Sequence, residues 1–253
     1  MRRDLPEVER LVPWDPRRAL PAAPREVLEA LWPLLTPERQ ARIDRVVASR
    51  SRRVIPVLER LSDPHNVAAV LRSAEAFGAL EVHVVETEER FVASARVSKG
   101  SDRWLDVVRH GDARSCAGEL RARGYRVLVA TMDGEVTPEE LAALGKVAVV
   151  FGNEHGGVSG AMRALADGGY RIPMCGFVES LNVSVAAAIT LHAALGEAGA
   201  RRAAQPAEPD ARAGGTVGMA LDDADRETLR ARYAMLSVDR AEEIVAEHLR
   251  RRP

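Results

Sequence analysis

From Val54 to Leu195, short apolar runs alternate with stretches whose apolar positions recur at helical spacing. The runs "VIPVLER", "EVHVVE", "YRVLVAT", "KVAVVFG" and "YRIPM" predict strands. Between them, "NVAAVLRSAEAFGA" places Val67, Val70, Leu71, Ala74 and Phe77 on one helical face, with Gly78 able to end the helix. "SCAGELRARG" predicts a helix ended by Gly124, "TPEELAAL" a short helix opened by a Thr137–Glu140 capping box, and "VSGAMRALA" another. The last helix of the series, after Asn182, has almost no polar face. Strands alternating with helices predict an α/β fold, a parallel sheet covered on both faces, with ligands expected in loops beyond the strand C-termini.

The flanks differ. Residues 1–35 are Pro-rich, an N-terminal extension with room for one helix around "VLEALWPLL". "TPERQARIDRVVASRSRR" over residues 36–53 predicts a basic helix with Thr36 as N-cap and Pro37 at its first position. A core domain therefore spans 36–198. The Ala/Gly/Pro-rich stretch 199–218 predicts a linker, and 219–253 a C-terminal extension of two helices joined by a tight turn.

The chain of 253 residues has a net charge of -1, which argues against a general polyanion coat but not against local basic patches. Lys99 and Lys146 are the only lysines, so positive charge is almost all arginine, a residue suited to phosphate through its two-pronged guanidinium. On the basic helix, Arg39, Arg42 and Arg45 are candidates for RNA phosphates; the plainer reading is a solvated helix face. Cys116 and Cys175 fit neither a disulfide framework nor a zinc-ligand spacing. No stretch has the length or apolarity of a signal peptide or a membrane span, so a cytoplasmic protein is expected.

Three loops carry candidate chemistry. In "DPHNVAAVLRSAEAFG", Asn66 stands where a helix N-cap belongs, and Arg72 lies off the apolar face, where a solvated arginine pairing with Glu75 is the plain alternative. In "VVFGNEHGGVS", a strand ends at Gly152, followed by Asn-Glu-His and two glycines that let backbone approach a ligand. Neither phosphate-binding glycine fingerprint is present, and Glu154 and His155 lack a third partner for a metal. In "IPMCGFVESLNVSVA", an irregular, partly polar loop precedes the apolar helix.

Together and in this order, "N-x5-R-x4-FG", "FGNEHGGVS" and "IPM-x-G-x3-SLNVSVA" resemble the three motifs of the SpoU (TrmH) family of RNA ribose 2'-O-methyltransferases, over roughly residues 37–198. The resemblance implies a SPOUT fold with a C-terminal trefoil knot formed in the 147–198 region, S-adenosylmethionine (AdoMet) as cofactor, and a homodimer formed through the knot. It places Asn66, Arg72, Glu154, Ser180 and Asn182 at the functional polar positions, with Arg72 matching the arginine that activates the 2'-hydroxyl. Guanidinium groups keep their proton to above about pH 12, so gripping the adjacent phosphate and polarising the hydroxyl is the alternative role. Glu154 and Asn66 are expected to hold Arg72 and the knot loops. The AdoMet pocket is expected at Ala130, Thr131, Gly152, Ile172, Met174 and Leu181, largely through backbone atoms, with Cys175 as a small filler. "SKGSDRW" resembles a family loop that contributes basic residues to RNA, here Lys99 and Arg103.

Within the family, the arginine-rich helix, "GSDRWLDV" and the helices after the core resemble the tRNA guanosine-18 group, which implies a tRNA substrate methylated in the D-loop. "NEHGGVS" and the longer extension and linker depart from that group. An rRNA enzyme of the same family and a non-catalytic RNA-binding module are the alternatives. A dinucleotide oxidoreductase shares the alternation but lacks its glycine fingerprint.

Overall fold

The structure, a computed structural model, describes residues 19–85, 100–196 and 221–251. The first elements are α1 (Pro24–Leu31), α2 (Pro37–Ser49), β1 (Val54–Glu59), α3 (Pro64–Ala76), β2 (Glu81–Val85) and β3 (Asp106–His110). Then come α4 (Ala113–Ala122), β4 (Arg126–Ala130), α5 (Pro138–Leu141), β5 (Val147–Phe151), α6 (Gly160–Leu165) and β6 (Gly168–Tyr170). The last are α7 (Val183–Leu195), α8 (Asp223–Met235) and α9 (Ala241–Arg250).

The chain divides into two compact units, residues 1–48 with 223–253, and residues 49–222. The larger is an α/β layer structure on a six-stranded parallel sheet, in the order β3-β2-β1-β5-β4-β6. Every residue of β1 and β5 is buried, which is why these strands read as apolar runs rather than alternating ones. Their side chains still alternate between faces. Val147, Val149 and Phe151 join α3, α5 and α7 through Val70, Leu71, Leu141, Ala187 and Leu191. Ala148 and Val150 join α4 and α6 through Cys116, Leu120 and Met162. The strand order reverses between β1 and β5, and such a switch point opens a crevice at the strand C-termini.

In the smaller unit, α1 packs on α8 and α9. Arg39 donates to the Ser237 hydroxyl (2.9 Å) and Arg230 to Asp44 (2.6 Å). The Thr36 hydroxyl accepts the Arg39 amide (3.3 Å), as expected of the cap of α2.

Three sequence expectations change. β3 was not foreseen: "DVVRH" is a short edge strand, mostly half-exposed, with no apolar run. The strand expected at "YRIPM" ends at Tyr170 and lies earlier, on Gly168–Tyr170; Arg171 onward turns away from the sheet. The basic helix stops at Ser49 rather than Arg53. Arg50 is buried, bonding Glu75 (3.0 Å) and the Ala79 carbonyl (3.1 Å), and buried Arg53 donates to the Ala194 carbonyl. Those two arginines serve the interior and are closed to phosphate. Among the described residues, no helix is long and apolar enough to cross a membrane.

Candidate active site

β1 is followed by Arg60, whose φ of 57° is left-handed, an uncommon state for a non-glycine residue. The Asn153 amide holds the Arg60 carbonyl at 2.7 Å. The chain then enters α3 through Asp63, whose carboxylate accepts the His65 amide (2.8 Å). Asp63, not Asn66, is thus the N-cap, with Pro64 at the first helical position. This frees the Asn66 side chain, which is buried in the first turn of α3.

Asn66 links the other two loops. Its Nδ2 donates to Glu154 Oε1 at 3.0 Å, and its Oδ1 accepts from Asn182 Nδ2 at 3.1 Å. Asn182 caps α7, its Oδ1 accepting the Ser184 amide (2.8 Å) and hydroxyl (2.6 Å). Glu154 in turn accepts the Ser62 amide (3.2 Å) and hydroxyl (3.1 Å) and the Asp63 amide (3.3 Å). A continuous hydrogen-bonded chain therefore joins the loops after β1, after β5 and before α7. Partial burial acts to raise the Glu154 pKa, but the hydrogen bonds from Asn66 and backbone amides outweigh it and hold the carboxyl down at about 2. It stays ionised with neutral donors around it.

The loop after β5 is a tight hairpin. Asn153 and Gly157 exchange backbone hydrogen bonds of 3.0 and 2.9 Å. A Cβ on Gly152 would run into the backbone of Gly157 and Val158, so only glycine fits. Buried Glu59 anchors the far side of the loop, accepting the Ser159 hydroxyl (2.6 Å) and amide (2.8 Å) while Ser159 caps α6.

Beside this chain lies a cleft of about 540 Å³ at the C-terminal ends of β4, β5 and β6. All six residues expected to meet AdoMet line it: Ala130, Thr131, Gly152, Ile172, Met174 and Leu181. Glu154, Ser180 and Asn182 line it too. Its volume falls within the range of small-molecule sites. Its apolar wall includes Phe151, Ile172, Met174 and Leu181, as a flat heteroaromatic ring requires. Arg163 and Arg171 also line it, and the sequence did not mark them. Arg163 donates to the Thr131 hydroxyl (3.2 Å) and Val158 carbonyl (3.1 Å), and Arg171 to the Gly134 carbonyl (3.0 Å).

Arg72 is exposed on α3 and does not line the cleft. It has no hydrogen-bond or ion-pair partner among the described residues. Glu75, offered as its plain partner, is taken by Arg50, and neither Glu154 nor Asn66 bonds it. Ser180 is exposed and its hydroxyl likewise makes no hydrogen bond among the described residues. Cys175 is exposed and outside the cleft lining, so the filler role does not hold. Of the RNA candidates, Arg42 and Arg45 are exposed, Arg39 is half-buried against Ser237, and Arg103 is half-buried in a 3-10 turn that packs on α3. Lys99 lies outside the described residues.

Comparison with known proteins bears on this arrangement. Residues 53–192 match the SpoU rRNA Methylase family. The chain is 38% identical over 157 residues to a tRNA (guanosine(18)-2'-O)-methyltransferase of Thermus thermophilus, covering 62% of this chain and 81% of that one. The solved structure of the A. aeolicus TrmH/SpoU tRNA modifying enzyme is similar in fold, with a TM-score of 0.65 at 24% identity, covering 79% of this chain and 97% of that one. The SpoU methyltransferase AviRb from Streptomyces viridochromogenes, solved with AdoMet, gives a TM-score of 0.54 at 27% identity, over 62% of this chain and 63% of that one.

Proposed function

The chain belongs to the SpoU rRNA Methylase family, and we propose that it methylates a ribose 2'-hydroxyl of tRNA, at guanosine 18 of the D-loop, with AdoMet as methyl donor. One observation carries the reading. The hydrogen-bonded chain Asn182–Asn66–Glu154 draws the three motif loops together beside a cleft lined by every residue expected to hold AdoMet.

AdoMet supplies an electrophilic methyl on a cationic sulfonium. The chain's own task is to align the acceptor oxygen with that methyl and to stabilise loss of the hydroxyl proton. The apolar wall and the backbone of residues 172–181 hold the adenosine, and Arg163 and Arg171 offer positive charge for a carboxylate. Glu154 presents a negative charge to the cleft with no cation bonded to it among the described residues, complementary to the sulfonium. Arg72, free of protein partners among the described residues, grips the phosphate next to the acceptor ribose and polarises its hydroxyl. Ser180 orders the nearby ribose, and Asn182 orders the loop through its cap on α7.

The trefoil knot belongs to the same reading. The segment 131–136 passes from the β4 side of β6 at Thr131 to its outer edge at Val136. Thr131 donates to the Tyr170 carbonyl (3.0 Å) and Arg171 to that of Val136 (2.9 Å), and a Cβ on Gly134 would strike the Tyr170 backbone. Such close passage supports threading of the C-terminal segment through that loop. A homodimer through the same region accounts for Phe177, Val178, Val185 and Ile189, large apolar residues exposed before and along α7. Arg39, Arg42, Arg45, Lys99 and Arg103 contact the tRNA backbone, and the cytoplasm is the compartment that supplies it.

The test is transfer of labelled methyl from AdoMet to unmodified tRNA and, in parallel, to rRNA fragments, with the nucleoside identified by digestion and mass spectrometry. The expected product is 2'-O-methylguanosine at position 18. Label in rRNA alone moves the substrate within the family, and AdoMet binding without transfer to any RNA favours the non-catalytic reading.

A further inference from the structure

On the opposite side of the sheet from α7, at its β3 edge, three buried groups converge that methyl transfer does not use. His83 of β2, His110 of β3 and Cys116 of α4 present one ligand atom each, all within 4.8 Å of one another. The sequence hides the set, because its members come from three separate elements and match no short zinc spacing.

We propose that His83, His110 and Cys116 bind a single zinc-class divalent cation that ties the β3 edge to β2 and α4.

The imidazoles carry the argument. Their rings stack at 4.9 Å, and His83 Nδ1 and His110 Nε2 face each other at 2.9 Å. Each ring turns its other nitrogen to a carboxylate: His83 Nε2 lies 3.3 Å from Glu81 Oε2, and His110 Nδ1 lies 3.9 Å from Glu119 Oε2. A carboxylate behind a metal-bound histidine fixes its tautomer and aims the free lone pair at the ion, as Glu81 does for His83; Glu119, beyond hydrogen-bond reach of His110, adds only its charge. Glu81 is itself held by Arg123 through two contacts of 2.8 Å. Tetrahedral zinc wants nitrogens about 3.3 Å apart and nitrogen to sulfur about 3.6 Å. The histidines must therefore spread by a few tenths of an ångström, and the thiolate must move in by about 1.2 Å at most. Soft thiolate with imidazole selects zinc-type ions over magnesium or calcium. Without an ion, the thiol is inert: burial, aided by Glu119 and Glu59, pushes it up to about 12.

The experiment uses the full chain carrying Cys175→Ser, which removes the exposed thiol and leaves Cys116 as the only one. After chelator dialysis, cobalt(II) is titrated and the absorbance spectrum recorded. One cobalt per chain, a thiolate-to-cobalt charge-transfer band, loss of that band on zinc addition, and a melting temperature raised by about 5 °C or more in excess zinc are expected. Adding Cys116→Ser removes the band. No stoichiometric uptake, cobalt bound without the band, or a band that survives Cys116→Ser overturns the proposal and leaves a histidine pair sharing one proton. None of these readouts depends on methyl transfer.

Discussion

Glu154 and Glu81 sit at opposite ends of the sheet unit's chemistry, and both carboxyls are held down at about 2. The means differ. In both, burial works in the other direction and is outweighed by partners. Around Glu81 those partners are His83 and, after it, a cation, Arg123. Around Glu154 they are an amide side chain and backbone N–H groups. A carboxylate paired with guanidinium has its charge cancelled locally and acts as a fastener. A carboxylate held by amides keeps its charge and projects it into the cleft it lines. Under the proposed function, the same acidity marks a fastener in one place and an active-site anion in the other, so the identity of the partner is the informative quantity.

The largest expected effect falls on the cation that the Glu154 cluster leaves free. Arg72→Ala should lower kcat for methyl transfer by about a hundredfold or more, the scale of losing one donor aimed at developing charge. AdoMet affinity, read by calorimetry, should stay within about twofold. Unchanged turnover would remove Arg72 from both roles proposed for it.

Next comes the charge itself. Glu154→Gln keeps the shape of the loop while removing the anion. Affinity for cationic AdoMet should fall about fivefold relative to S-adenosylhomocysteine, its neutral thioether counterpart. Equal losses for the two ligands would make Glu154 a fastener like Glu81 and erase the contrast.

That contrast was half legible in the sequence. Asn66, Glu154 and Asn182 were marked by local motifs, and the strands feeding them were apolar runs buried on both faces. The roles were less legible. "DPHN" holds two good cap residues, and the Asp-Pro pair wins because proline fits the first helical position; only then is Asn66 released to bridge the loops. β6 was misplaced because β-propensity lies in "RIP", whereas pairing falls on Gly168 and Gly169, and at Gly169 the loop through Thr131 and Gly134 passes too close for a side chain. Asn153 and Arg171 act through contacts to distant backbone and Arg163 through the distant Thr131 hydroxyl, which no spacing announces. The Glu81 cluster was wholly hidden, since its members come from β2, β3 and the end of α4.

Acid should expose the Glu154 network thermodynamically. Its folded pKa of about 2 lies below the ordinary 4.5, so its contribution to stability is full above 4.5 and is lost as pH falls toward 2. The difference in melting temperature between wild type and Glu154→Gln should shrink across that window. A difference that holds constant would show that the carboxylate gains nothing from its amides on folding.

The smallest effect belongs to the fastener. Arg123 Nη2 spans both oxygens of Glu81 at 2.8 Å, while Nη1 lies 3.3 Å from Glu119. The guanidinium is about one-third exposed, with 32% of its side-chain surface open, so solvent screens part of the attraction. Arg123→Lys keeps the cation and gives up the second prong. Unfolding free energy should fall by about 0.5–1 kcal/mol, with methyl transfer unchanged. Glu81 asks its partner chiefly for charge, so a lysine nearly suffices. A loss of about 3 kcal/mol instead would mean that the fork geometry matters as much as the charge. The cation-held cluster would then be as exacting in shape as the amide-held one, and partner charge alone would no longer separate fastener from active-site anion.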